Sequence, residues 1–134
     1  MQSRAGQRRG AHDCAKVRHD AQFGPLIGFG MGGVSVEVWK DVVFRVPPLT
    51  DLDAREMLDG IRGSCLLDGF RGEPPADREA LVDTLLRISR LVADVPEILE
   101  LDINPLIALP PGSGVLAVDA RIRIAKSEPS PSRR

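Results

Sequence analysis

Two aliphatic runs, "EILELDIN" and "VLAVDARI", flank a loop with the sequence "LPPGSG". No other feature restricts the fold of this chain as strongly. Each run alternates apolar and polar residues at a period of two, the period of a half-buried strand. The Pro and Gly residues between them favour a reversal of direction. Leu99, Leu101 and Ile103 then point one way and Glu100, Asp102 and Asn104 the other. In the second run, Leu116, Val118, Ala120 and Ile122 are expected to share a face, opposite Val115, Ala117, Asp119 and Arg121. Pairing Leu109 with Gly114 sets Asn104 against Asp119, Asp102 against Arg121 and Glu100 against Arg123. Directly opposed residues have Cβ atoms about 4.5–5.5 Å apart, and a slip of one residue would exchange the faces.

A face of this composition has two readings. Asp102–Arg121 and Glu100–Arg123 can form cross-strand ion pairs on a half-solvated sheet. Alternatively, an Asn carbonyl and an Asp carboxylate so placed can bridge a hard cation with ligands at about 2.0–2.1 Å.

Upstream, "FGPLIGFGMGGVSVEVWKDVVFRVPPL" begins with closely spaced glycines. Val34, Val36 and Val38 then alternate with polar residues. Lys40-Asp41 reads as a tight turn, with a return strand through Val42, Phe44 and Val46. "GFGMGG" leads into a strand rather than a helix, which argues against a dinucleotide fingerprint, and it lacks the Gly-Lys-Ser/Thr of a phosphate loop. A helix is expected from Thr50, whose side chain can cap it together with Asp53. Ala54, Met57, Leu58 and Ile61 form its apolar stripe, and Gly63 is its expected left-handed exit. A second helix should run from about Asp77 to Ala93, with Leu81, Leu85, Ile88 and Val92 inward. The order is α+β, with two helices on one face of a mainly antiparallel sheet.

Residues 1–20, "MQSRAGQRRGAHDCAKVRHD", show little apolar periodicity, and a basic, disordered arm is expected there. Residues 125–134 read as a disordered tail. Residues 21–124 then make one subdomain. His12, Cys14 and His19 fall in the arm, where nothing is expected to orient them for metal binding or nucleophilic chemistry. Cys14 and Cys65 lack metal-site spacing and read as free thiols of a reducing cytoplasm. The net charge is -1 and aromatics are 4% of residues, so a nucleic-acid surface is not expected beyond the arginines of the arm. No apolar run approaches the roughly 18 residues of a membrane span.

"FGPLIGFGMGGVSVEVWKDVVFRVPPL", "LLDGFRGEPPAD" and "ELDINPL…VDARI" together resemble the C-terminal part of the ATP-grasp domain of ADP-forming acyl-CoA synthetases. These are the acetate–CoA ligase type, related to the β subunit of succinyl-CoA synthetase. The resemblance covers roughly residues 20–124 and implies a partial ATP-grasp subdomain. It implies phosphoryl transfer between ATP or ADP and a phosphohistidine carried elsewhere, with Mg²⁺ on the nucleotide phosphates. It assigns Mg²⁺ binding to Asn104 and Asp119, with Asp102 as a supporting or water-mediated ligand. Gly32, Gly33 and Glu37 would shape the nucleotide cleft, and Arg121 would face phosphate. The other ATP-grasp half and the CoA-binding domains would come from another subunit or an upstream segment. The chain alone, read as a truncated or frame-shifted product, is then expected to be inactive as a ligase. A non-catalytic remnant or subunit-docking module of the same fold is the alternative.

Overall fold

A computed structural model describes residues 11–31, 41–69, 72 and 74–126. Its core is a six-stranded sheet in the order β3-β2-β1-β4-β5, with β6 also beside β4. The strands are β1 (Ala11–Asp20), β2 (Gly24–Met31), β3 (Val42–Arg45), β4 (Ile98–Ala108), β5 (Val115–Ala117) and β6 (Ala120–Ile124). Every pairing is antiparallel. Helices α1 (Asp51–Gly60) and α2 (Arg78–Asp94) flank a 3₁₀ helix at Arg62–Asp68. Val34, Val36 and Val38 of the expected strand and Lys40 of the expected turn lie outside the described residues, as do Gly32, Gly33 and Glu37.

The largest departure from expectation is β1. Residues 11–20 are not an unstructured arm; they form a central strand between β2 and β4. The physical reason is in the pairing. Ala15 and Val17 are buried opposite Phe29 and Ile27 on one side and Ile103 and Leu101 on the other. Two small apolar residues are enough for a strand whose neighbours supply the bulk. At the other end, the Ala125 N–H donates to the Glu97 carbonyl, so the ordered chain reaches past β6. Residues 127–134 lie outside the described residues.

The core lies on the helical side of the sheet. α1 packs on β2 and β3, and α2 on β2 and β4. Met57, Leu58, Leu81 and Leu85 are fully buried there with Ile27 and Phe29. α1 starts as expected: the Asp53 N–H donates to Thr50 Oγ1 at 3.0 Å and the Thr50 N–H to Asp53 Oδ2 at 2.8 Å. It ends differently. Gly63 is not a left-handed exit but part of the 3₁₀ helix, and Ile61 caps α1 in an extended conformation. The Arg62 and Gly63 N–H groups donate to the Asp41 carboxylate at 2.6 and 2.8 Å. A Cβ on Gly63 would stand 2.6 Å from Met31 Sδ, so this glycine serves close packing.

Two side chains tie loops to α2. Ser89 Oγ, buried, accepts the Leu49 N–H at 2.9 Å. Ser89→Ala should orphan that N–H and cost about 1–3 kcal/mol, read as a shift in the urea midpoint. Asp77 caps α2 through the Ala80 N–H and also takes the Gly112 and Gly114 N–H groups at 2.9 and 2.8 Å. Those bonds, from Gly114 first, hold its carboxyl below the usual range. Asp77→Ala should speed hydrogen exchange at Gly112 and Gly114, and wild type should show the same loosening as acid protonates Asp77.

Candidate functional site

The hairpin closes where its sequence predicts. The Leu109 N–H donates to the Gly114 carbonyl at 3.0 Å, and the Asn104 N–H to the Asp119 carbonyl at 3.0 Å. Asp102 pairs with Arg121 and Glu100 with Arg123 along the β4–β6 ladder. One element of the pattern is corrected. The regular ladder is interrupted at Asn104-Pro105 on one strand and Val118-Asp119 on the other, which stay opposed through the Asn104 N–H to Asp119 carbonyl and Val118 N–H to Pro105 carbonyl bonds alone. The break keeps the register but changes the parity. Val115, expected outward, packs against the core, while Leu116 is exposed; Ala120 and Ile122 oppose Ile103 and Leu101. Asn104 and Asp119 therefore sit at the break, where backbone and side chains leave the regular pleat.

The sheet face away from the helices carries a row across five strands: Phe44, Gly28, Lys16, Asp102 and Arg121. Lys16 Nζ lies 3.5 Å from Asp102 Oδ1. That oxygen is itself buried and accepts no hydrogen bond, so the contact is an ion pair without hydrogen-bond geometry. The expected Asp102–Arg121 pair is replaced by it, because β1 brings a cation to the other side of Asp102. The expected Glu100–Arg123 pair forms, at 3.1 Å. Arg123 holds the Glu100 carboxyl below its usual range, chiefly through their hydrogen bond. Both side chains are exposed, so solvent screens this pair. Arg18 stacks 4.3 Å from the centroid of the Phe44 ring, and that ring covers Gly28.

Lys16 and Arg18 were hidden in the stretch expected to be disordered. Their only signal is the short alternation in "AKVR", with apolar Ala15 and Val17 between cations. Cys14 is buried, donates weakly to the Met31 carbonyl at 3.5 Å, and burial pushes its thiol up to about 11, which leaves it a poor nucleophile. His12 and His19 are ordered on β1, and His19 Nδ1 lies 3.2 Å from the Leu99 carbonyl oxygen. They do not join a metal cluster: among the described residues no three His, Cys, Asp or Glu side chains are grouped to hold one. An oxygen site here would have to combine the Asn104 amide with Asp102 and Asp119, and leave further positions to water or a ligand. Among the described residues no helix is long and apolar enough to cross a membrane.

The sheet, its helices and this polar face define an ATP-grasp architecture, and the chain belongs to the ATP-grasp domain family, which it matches over residues 3–124. Its similarity within that class is to the ADP-forming acetate–CoA ligases. It is 50% identical over 107 residues to the acetate–CoA ligase (ADP-forming) II subunit beta of Pyrococcus furiosus, covering 79% of this chain and 45% of that one. It is 50% identical over 106 residues to acetate–CoA ligase (ADP-forming) I of Archaeoglobus fulgidus, covering 79% of this chain and 15% of that one. An acetyl-coenzyme A synthetase of Ca. Korarchaeum cryptofilum, solved with coenzyme A and Mg-AMPPCP, superposes with a TM-score of 0.82 at 44% identity. That match covers 87% of this chain and 54% of the other. The chain thus spans at most about half the length of these relatives.

Proposed function

We propose that this chain is the nucleotide- and Mg²⁺-binding portion of an ADP-forming acyl-CoA ligase of the acetate–CoA type. It would serve phosphoryl transfer between ATP or ADP and a phosphohistidine carried on another part of the enzyme. The observation that carries the reading is the hairpin register, which opposes Asn104 to Asp119 at the break in the ladder, beside Asp102. The donors are all oxygens, as a hard cation prefers, and Asp102 Oδ1 is buried without a hydrogen bond. Asn104 and Asp119 would hold Mg²⁺, with Asp102 supporting it. When bound, the ion neutralises charge on the nucleotide phosphates. Lys16, 3.5 Å from Asp102 Oδ1, orients Asp102 on this face. The remaining ATP-grasp half and the CoA-binding domains would complete the enzyme, and Gly32, Gly33 and Glu37 would line the nucleotide side.

The test is calorimetric titration of the 134-residue chain with Mg²⁺-ADP, in wild type, Asn104→Ala and Asp119→Ala. Each variant should weaken binding by at least the roughly 10- to 100-fold that loss of a supporting group around a metal typically causes. Wild-type binding that neither substitution weakens would sink the metal assignment. The absence of any Mg²⁺-dependent binding would favour a docking module of the same fold. CoA- and ADP-dependent turnover by the 134-residue chain is expected to be undetectable; measurable turnover would overturn the need for other domains.

A further inference from the structure

The outer side of β6 offers the same Arg/Ile alternation that its inner side already presents to β4. Along the inner edge, β6 reads β4 as alternating acid and apolar residues: Glu100 opposite Arg123, Leu101 opposite Ile122, Asp102 opposite Arg121. Among the described residues the outer edge of β6 has no strand partner. Ile122 and Ile124 point to the helical side, opposite the buried Leu101 and Ile98, yet they are 51% and 57% exposed among the described residues. An edge that joins unpaired backbone groups to a row of isoleucines is a template for strand addition. Alternation of charge across the face specifies the partner. Lys16, Asp102 and Arg121 run plus, minus, plus over three adjacent strands, and Asp102 is already engaged by Lys16. The next position in that row calls for a carboxylate.

We infer that the outer edge of β6 accepts an extended polypeptide segment in which acidic residues face Arg121 and Arg123 and apolar residues cover Ile122 and Ile124. A second copy of β6 does not meet that description. Every antiparallel register that keeps the faces in phase and pairs three or more residues of β6 sets Arg against Arg, and like charges directly opposed are destabilising. Arg121 is also the residue that the family resemblance turns toward phosphate, so the isoleucine pair is the element that separates the two uses. The inference does not depend on nucleotide binding.

The probe is a synthetic peptide with the sequence of residues 97–104, "EILELDIN", titrated into the 134-residue chain and followed by amide NMR. Shifts should concentrate on β6 and β5 while the β4–β6 amides stay protected. A peptide with Lys at both the Glu100 and Asp102 positions should not bind. The double variant Ile122→Thr/Ile124→Thr keeps strand propensity and should weaken binding about tenfold or more. Ile122→Lys/Ile124→Lys is the second version if the threonine pair disturbs the fold, with thermal melting as the control. No binding by wild type, equal binding of the Lys peptide, or undiminished binding by both double variants would each overturn the inference. So would sedimentation showing a dimer that the isoleucine substitutions dissociate, since a second copy would then hold the edge.

Discussion

The stability that Asp13→Leu gains over wild type should be about 4 kcal/mol larger at pH 8 than at pH 4. Asp13 is fully buried on β1, between Met31 on β2 and Leu106 on β4, and among the described residues neither carboxylate oxygen has a hydrogen-bond partner. Burial raises its carboxyl from 3.8 to about 7, because an ion without partners is costly away from water. The sign follows from linkage. The folded state holds the proton more tightly than the unfolded state, so this group favours folding most below the unfolded value. That contribution falls as pH rises from 3.8 and is gone once pH passes about 7. The distance from 3.8 to about 7, at about 1.36 kcal/mol per pH unit, is about 4 kcal/mol, a large share of the usual roughly 5–15 kcal/mol of a domain. Urea denaturation of wild type between pH 4 and pH 8 should show this slope. Asp13→Asn should remove the slope but retain an unsatisfied amide, so Asn separates titration from burial. A wild-type stability that is flat across this range would show that the Asp13 carboxyl is hydrated or paired in solution.

Asp13 also explains why β1 escapes a reading of the sequence. Of residues 12–16, only Cys14 and Ala15 are apolar, and an acid occupies a position that the sheet buries. Periodicity cannot reveal a strand whose buried face carries a carboxylate. The hairpin was legible because two independent signals agree: turn chemistry at Pro110–Gly114 and the acid/base complementarity of Glu100 and Asp102 with Arg123 and Arg121. What it concealed was the parity change at Asn104-Pro105 and Val118-Asp119. Equal breaks on both strands preserve every cross-strand pair while moving Val115 from the outer to the core side, so pairing arguments cannot detect them. The same break contains Asn104 and Asp119, the two residues on which the candidate metal site depends. Helices α1 and α2 were legible nearly to their ends, since capping at Thr50 and Asp77 is local chemistry. The exit at Gly63 was not, because a distant carboxylate, Asp41, takes the N–H groups that a left-handed turn would have served.

Gly30→Ala should destabilise the chain by about 3 kcal/mol, and no change of a neighbouring side chain should restore it. A Cβ at Gly30 would run into the carbonyl oxygen of Asp41, the oxygen that accepts the Met31 N–H at 3.2 Å. The obstacle is backbone at the start of β3, so relief requires moving the β2–β3 junction and with it the Asp41 carboxylate that holds the 3₁₀ helix. Overpacking with nowhere to relax lies at the upper end of the roughly 1–3 kcal/mol range. Gly28→Ala provides the contrast. Its Cβ would meet Phe44 Cε1 at 2.6 Å, but a ring can be shortened. Phe44→Leu in the Gly28→Ala background should therefore recover most of the loss, and Phe44→Leu with Gly30→Ala should recover none. The two double-mutant cycles, read by urea midpoint, should give a large coupling energy for the first pair and one near zero for the second. Because Gly28 lies in the row with Lys16 and Asp102, the rescued Gly28 double variant also tests the polar face. If that face binds Mg²⁺-nucleotide through Asn104 and Asp119, removing the Phe44 ring at the far end of the row should leave the metal dependence intact. A loss of metal dependence there would place the ion nearer β2 than the hairpin break.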